Sequence, residues 1–144
     1  MKYFSLLMMG LIACIQGLSA QQKAEPWTPA QLMAPAVLAD AITHQKDGNL
    51  LILSVGPGAI IKNSIDIGPA SDAESLAKLK QVLKTTDKNK EVVIYCGCCP
   101  FDKCPNVRPA FKTLTEMGFK QARLLNIEKN VKVNWIDQHY PTQK

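Results

Sequence analysis

Several features that would assign a function at once are missing. There is no run of five or more basic residues and no basic stretch interleaved with aromatics, so the formal net charge of +5 over 144 residues does not imply nucleic acid. No uninterrupted apolar stretch reaches the roughly 20 residues needed to cross a bilayer, which argues against an integral membrane span. The only histidines are His44 and His139, neither near a cysteine in sequence, and the two separated C-x2-C pairs of structural zinc are absent. Nor do the cysteines form a disulfide framework. Four of the five, Cys96, Cys98, Cys99 and Cys104, fall within nine positions, where any bridge closes only a tiny loop and constrains little of the unfolded chain.

What is present is the composition of a globular protein, 47% hydrophobic and 20% charged, long enough for one domain with a single core. At the amino end, Lys2 precedes an apolar stretch from Tyr3 to Ile15, and Gly17-Leu18-Ser19-Ala20 precedes the polar Gln21-Gln22-Lys23. This is the layout of a secretory signal peptide. The chain then divides into a signal peptide at 1–20, a lead-in at 21–27 and a folded domain at 28–144, exported to the periplasm or secreted. Leu11-Ile12-Ala13-Cys14 also resembles a bacterial lipobox, which would instead tether the protein to a membrane through Cys14. Either route takes the thiols to a compartment where they can oxidise.

Within the domain, Thr28-Pro29-Ala30-Gln31 reads as a helix start with a capping box, cut short by Pro35. A second helix is expected from Pro35 to Thr43 with Val37, Leu38, Ala41 and Ile42 inward. The apolar run Asn49 to Val55 predicts a strand covered on both faces, and Ser64 to Ile67 a shorter one. Ser71 with Glu74 forms a capping box for a helix through Leu83 that buries Leu76, Leu79 and Leu83. Glu91 to Tyr95 predicts a central strand. A helix follows from Asn106 to Met117, with Val107, Ala110, Phe111, Leu114 and Met117 on one face and Gly118 as its C-terminal cap. Ala122 to Ile127 is the last strand, and Asn130 caps a short helix carrying Val133, Trp135 and Ile136. Strands alternating with helices imply an α/β fold whose function sits at the carboxyl ends of parallel strands.

The cysteine loop occupies that position. Cys96-Gly97-Cys98-Cys99-Pro100-Phe101-Asp102-Lys103-Cys104 leaves the central strand and leads into a helix, whose N-terminal N–H groups and dipole favour a thiolate. Backbone N–H groups from Gly97 to Lys103 are expected to form a concave nest for an anion, with Lys103, Arg108 and Lys112 close in sequence.

Taken together, these residues resemble a rhodanese-like domain. Val92-Val93-Ile94-Tyr95-Cys96 is similar to the family's apolar strand ending in tyrosine and the active cysteine. Ala110, Leu114, Gly118 and Phe119 resemble its following helix and glycine turn, and Trp135 and Pro141 its closing tryptophan and proline. Leu51 to Val55 and Ile61 to Ile67 are similar to its early strands. The resemblance implies a small, mostly parallel sheet with helices on both faces. It also implies a sulfurtransferase in which Cys96 accepts sulfane sulfur as a persulfide from an anionic donor such as thiosulfate and passes it to a thiophilic acceptor, with no cofactor. Departures from the family pattern are also plain. Ser54-Val55-Gly56 replaces Asp-Val-Arg, Lys129-Asn130 replaces paired glycines, and the loop between Cys96 and the helix is enlarged to about ten residues, with three additional cysteines.

In this reading Cys96 is the nucleophile, and Gly97, Lys103 and Arg108 bind substrate. Cys104 is the first candidate for a resolving thiol, and Cys98 and Cys99 are auxiliary thiols, ligands, or a nucleophile shifted in register by the insertion. Two alternatives stay open: thiolate binding of Cu(I) or Zn(II) by C-x-C-C-x4-C, and a dithiol redox protein. A phosphatase-type loop lacks the arginine at the required short spacing.

Overall fold

The computed structural model describes residues 25–144; the expected signal peptide, its cleavage site and Cys14 lie outside them. Five parallel strands form one sheet. They are β1 (Leu32–Met33), β2 (Leu50–Ser54), β3 (Ser64–Asp66), β4 (Glu91–Tyr95) and β5 (Ala122–Leu125), in the order β1-β5-β4-β2-β3. The helices are α1 (Pro35–Thr43), α2 (Ala73–Lys84) and α3 (Val107–Glu116). This is the α/β architecture expected, with helices on both faces.

Strand periodicity divides the core. Along β4, Val92 and Ile94 point to the face covered by Leu79 and Leu83 of α2 and Val107, Ala110, Phe111 and Leu114 of α3. Val93 and Tyr95 point to the other, where Leu38, Ala39 and Ile42 of α1 meet Trp135. Because β4 lies between β5 and β2, its side chains are covered above and below, and Val92 to Tyr95 are fully buried. That is why its sequence is a continuous apolar run rather than an alternating one. The next residue, Cys96, falls on the α2/α3 face by the same alternation.

Tyr95 fixes the end of β4. Its hydroxyl accepts the N–H groups of Ile60 at 2.9 Å and Ile61 at 3.1 Å. Ser64 Oγ donates to the Ile61 carbonyl at 2.6 Å, so the Tyr95 O–H, 3.0 Å away, donates to Ser64. The buried phenol is thereby satisfied, and the segment before β3 is held to the strand that leads to Cys96. Trp135 donates its indole N–H to the Pro141 carbonyl at 2.8 Å and closes the α1 face.

Several sequence expectations need correction. Val37 is 59% exposed, and Ala39 takes the inward position because α1 meets the sheet through Leu38, Ala39 and Ile42. Asp72, not Ser71, is the N-cap of α2; the Ser71 N–H instead donates to Asn106 Oδ1 at 3.0 Å. β1 was not foreseen, since two residues pairing with Leu124 and Leu125 carry no local signal. The closing helix is a single π-type turn, Lys132–Ile136, with Ile136 exposed, although Asn130 Oδ1 does accept the Val133 N–H at 2.9 Å. Among the described residues no helix is long and apolar enough to cross a membrane.

Candidate functional site

The cysteine loop begins where β4 ends, and Cys96 is set by its neighbours on three sides. Its Sγ lies 3.2 Å from Cys98 Sγ, which in turn lies 3.2 Å from Cys99 Sγ. Asn106 Nδ2 points at the Cys96 sulfur from 3.6 Å. Cys96, Cys98 and Cys104 have all three sulfurs within 4.8 Å of one another. All four loop thiols are free. Cys96 is 2% and Cys104 0% exposed, Cys99 is half-buried, and Cys98 reaches solvent.

This arrangement separates the thiols electrically. The Cys104 thiol, its sulfur within 4.8 Å, lowers the Cys96 pKa most. Burial opposes the shift, but the Cys98 N–H, Asn106 and the Cys98 thiol add to the lowering, and Cys96 is brought down to about 5. It is therefore a thiolate at neutral pH. Cys98 moves the other way. The residue is exposed, but its sulfur sits among the other sulfurs, and this partial desolvation, with Cys99 and Cys96 adding to it, pushes it up to about 12. Cys104 is raised by its hydrogen bond to Cys96 and by burial, which keep its proton in place.

The N-terminal N–H groups of α3 serve a different sulfur from the one expected. Those of Asn106 and Val107 point at Cys104, because the enlarged loop puts Cys104, not Cys96, immediately before the helix. The expected nest is also partly closed: the Phe101 N–H donates to the Ile127 carbonyl at 2.9 Å and that of Lys103 to the Pro100 carbonyl at 3.0 Å. Gly97 matters through close approach, since a Cβ there would lie 2.8 Å from Val131, whose N–H donates to the Gly97 carbonyl at 2.9 Å.

Of the expected cations, Lys103 is exposed and pairs with Asp102 at 3.5 Å. Lys112 pairs with Glu116 along α3. The Arg108 guanidinium bonds Glu25 and, at 2.6 Å, the Asp102 carbonyl, and lies 5.6 Å from the Trp27 ring. In this geometry Arg108 ties the lead-in to the loop.

The fold has a solved counterpart. A crystal structure of a protein from Lactobacillus plantarum superimposes with a TM-score of 0.59, covering 80% of this chain and 89% of that one at 16% sequence identity. No protein-family model and no curated protein matches the chain.

Two contributors escaped the sequence reading. Asn106 looks like a helix N-cap but makes no cap bond; its buried amide bridges Cys96 and the Ser71 N–H, fixing the sulfur against the start of α2. Gly56 follows β2, where a Cβ would come within 2.6 Å of Cys96 Sγ. The only signal for it was the glycine standing where the resembled pattern has arginine. A cavity of about 340 Å3 lined by Val37, Leu50, Glu91 and Arg123 lies at the amino ends of β2 and β4, the opposite end of the sheet from Cys96. As donors, the three clustered thiols are soft ligands, one fewer than tetrahedral structural zinc uses.

Proposed function

We propose that this chain is an exported, single-domain rhodanese-like sulfurtransferase, with Cys96 as the residue that carries sulfane sulfur. The observation that supports this reading most is a buried thiol at the carboxyl end of the central parallel strand whose anionic form is stabilised by Cys104, the Cys98 N–H and Asn106. Nucleophilic attack on a sulfane sulfur needs a thiolate, and ordinary cysteine at neutral pH is mostly protonated. A group held near pH 5 removes that obstacle. The thiolate attacks the outer sulfur of an anionic donor such as thiosulfate. The donor's sulfur–sulfur bond breaks with its electron pair leaving on sulfite, and Cys96 becomes a persulfide.

Mass spectrometry after treatment with thiosulfate or inorganic polysulfide tests the assignment. Wild type is expected to gain one cyanide-labile sulfur, and Cys96→Ser to gain none. Retention of the adduct in Cys96→Ser refutes the role of Cys96. Metal analysis of protein purified reduced separates the metal alternative, because a stoichiometric metal without sulfur transfer would overturn the enzymatic reading.

A further inference from the structure

Cys96 sits almost wholly beneath the surface, yet a sulfur carrier must hand its cargo to something outside. The three sulfurs of Cys96, Cys98 and Cys99 lie in series with 3.2 Å between neighbours. The first is 2% exposed, and Cys98 reaches solvent. From this geometry we infer that Cys98 is an exit thiol, taking the outer sulfur from a Cys96 persulfide and presenting it to acceptor thiols too large to reach Cys96. The inference rests on the sulfurtransferase reading and adds a second catalytic residue to it.

The step balances without an outside oxidant or reductant. The Cys98 thiol hands its proton to the outer sulfur of Cys96–S–S⁻, the thiolate so formed attacks that sulfur, a new Cys98–S bond forms, and the Cys96–S bond breaks with its electron pair returning to Cys96. The Cys98 proton ends on the transferred sulfur, leaving Cys98–S–SH and the Cys96 thiolate. Attack on the inner sulfur instead would expel hydrosulfide and leave a Cys96–Cys98 disulfide. The surroundings favour the outer attack. Cys104, the Cys98 N–H and Asn106 already hold the Cys96 anion, and a thiol of low pKa is the better leaving group. They also set the direction, because sulfur moves downhill from the thiol that is stable as an anion to the neighbour that is not. Cys104 does not suit this role. It is fully buried, and its S–H is the donor that stabilises Cys96.

The test loads protein with polysulfide, removes the donor, and presents either cyanide or a folded protein bearing one exposed cysteine. Wild type is expected to deliver sulfur to both. Cys98→Ser and Cys98→Ala, at an exposed position that leaves the melting temperature unchanged, are expected to load one sulfur on Cys96 and release it to cyanide. Both should lose at least tenfold in rate to the protein thiol, whereas Cys99→Ser keeps the wild-type rate. Delivery by the Cys98 variants at the wild-type rate overturns the inference while leaving the sulfurtransferase reading intact. So does release of hydrosulfide with a Cys96–Cys98 disulfide, or failure of the Cys98 variants to load. Failure of wild type to load sulfur overturns both.

Discussion

Replacing Cys104 by alanine tests the electrostatic basis of the site. The S–H of Cys104 is the largest influence lowering Cys96, against a burial cost that acts in the opposite direction. A hydrogen bond to a charged group contributes about 1.5–3 kcal/mol, and each 1.36 kcal/mol is one pKa unit. Cys104→Ala is therefore expected to raise Cys96 by about 1–2 units from its value near 5. Cys98 and Asn106 remain as donors, so the shift stops short of an ordinary thiol. Cys104→Ser keeps a hydroxyl donor and should recover much of the lowering. Titration by ultraviolet thiolate absorbance reads the midpoint, each protein carrying Cys98→Ser and Cys99→Ser in common so that the loop's other partly exposed thiols are absent. A midpoint in Cys104→Ala within a few tenths of wild type, with the protein folded, would refute Cys104 as the main donor. Equal shifts in Cys104→Ser and Cys104→Ala would show that filling of the site, not donation, sets the pKa.

Three further outcomes follow from the same geometry. Because Cys96 is lower folded, about 5, than unfolded, near 9, its thiolate adds stability in full above pH 9 and loses it as pH falls toward 5. Wild type should thus gain melting temperature over Cys96→Ser between pH 5 and 9, and parallel curves would contradict this. Gly56→Ala places a Cβ 2.6 Å from Cys96 Sγ and 3.4 Å from Cys96 Cα, so it should cost about 1–3 kcal/mol in urea denaturation by overpacking and reduce sulfur loading; wild-type values for both would show that Cys96 is not confined there. Tyr95→Phe leaves the Ile60 and Ile61 N–H groups without their acceptor and should cost about 1–3 kcal/mol in the same assay, a loss absent if the segment relaxes into water.

How much was readable before the tertiary structure varied by element. α1 runs over Pro35–Thr43 as expected because Pro35 fits the first helical turn and the preceding residue is driven to extended backbone, which puts the boundary in the local sequence. β4 was legible because burial on both faces leaves an unbroken run from Val92 to Tyr95. Gly118, with φ +83°, ends the α3 region as its sequence predicted, since the left-handed region favours glycine. The inward face of α1 was not legible. Val37 and Ala39 are both compatible with a helix, and the choice between them depends on the angle at which α1 meets the sheet.

The site divides in the same way. Local sequence was sufficient to put a thiol at the end of the central strand and a helix after the loop, because both follow from periodicity and composition along a continuous stretch. It did not decide which sulfur would be the anion. That depends on Cys104 folding back from eight residues away, on Asn106 turning from its cap position toward Cys96, and on the space left at Gly56 just past the neighbouring strand β2. Nor did it reveal that Cys98 is the exposed neighbour of a buried thiolate, since residues two apart have no preset difference in burial once the chain leaves the strand. Short-range steric and hydrophobic preferences thus determined the frame, whereas the protonation and exposure of its thiols were decided only when separate segments packed around the same sulfur.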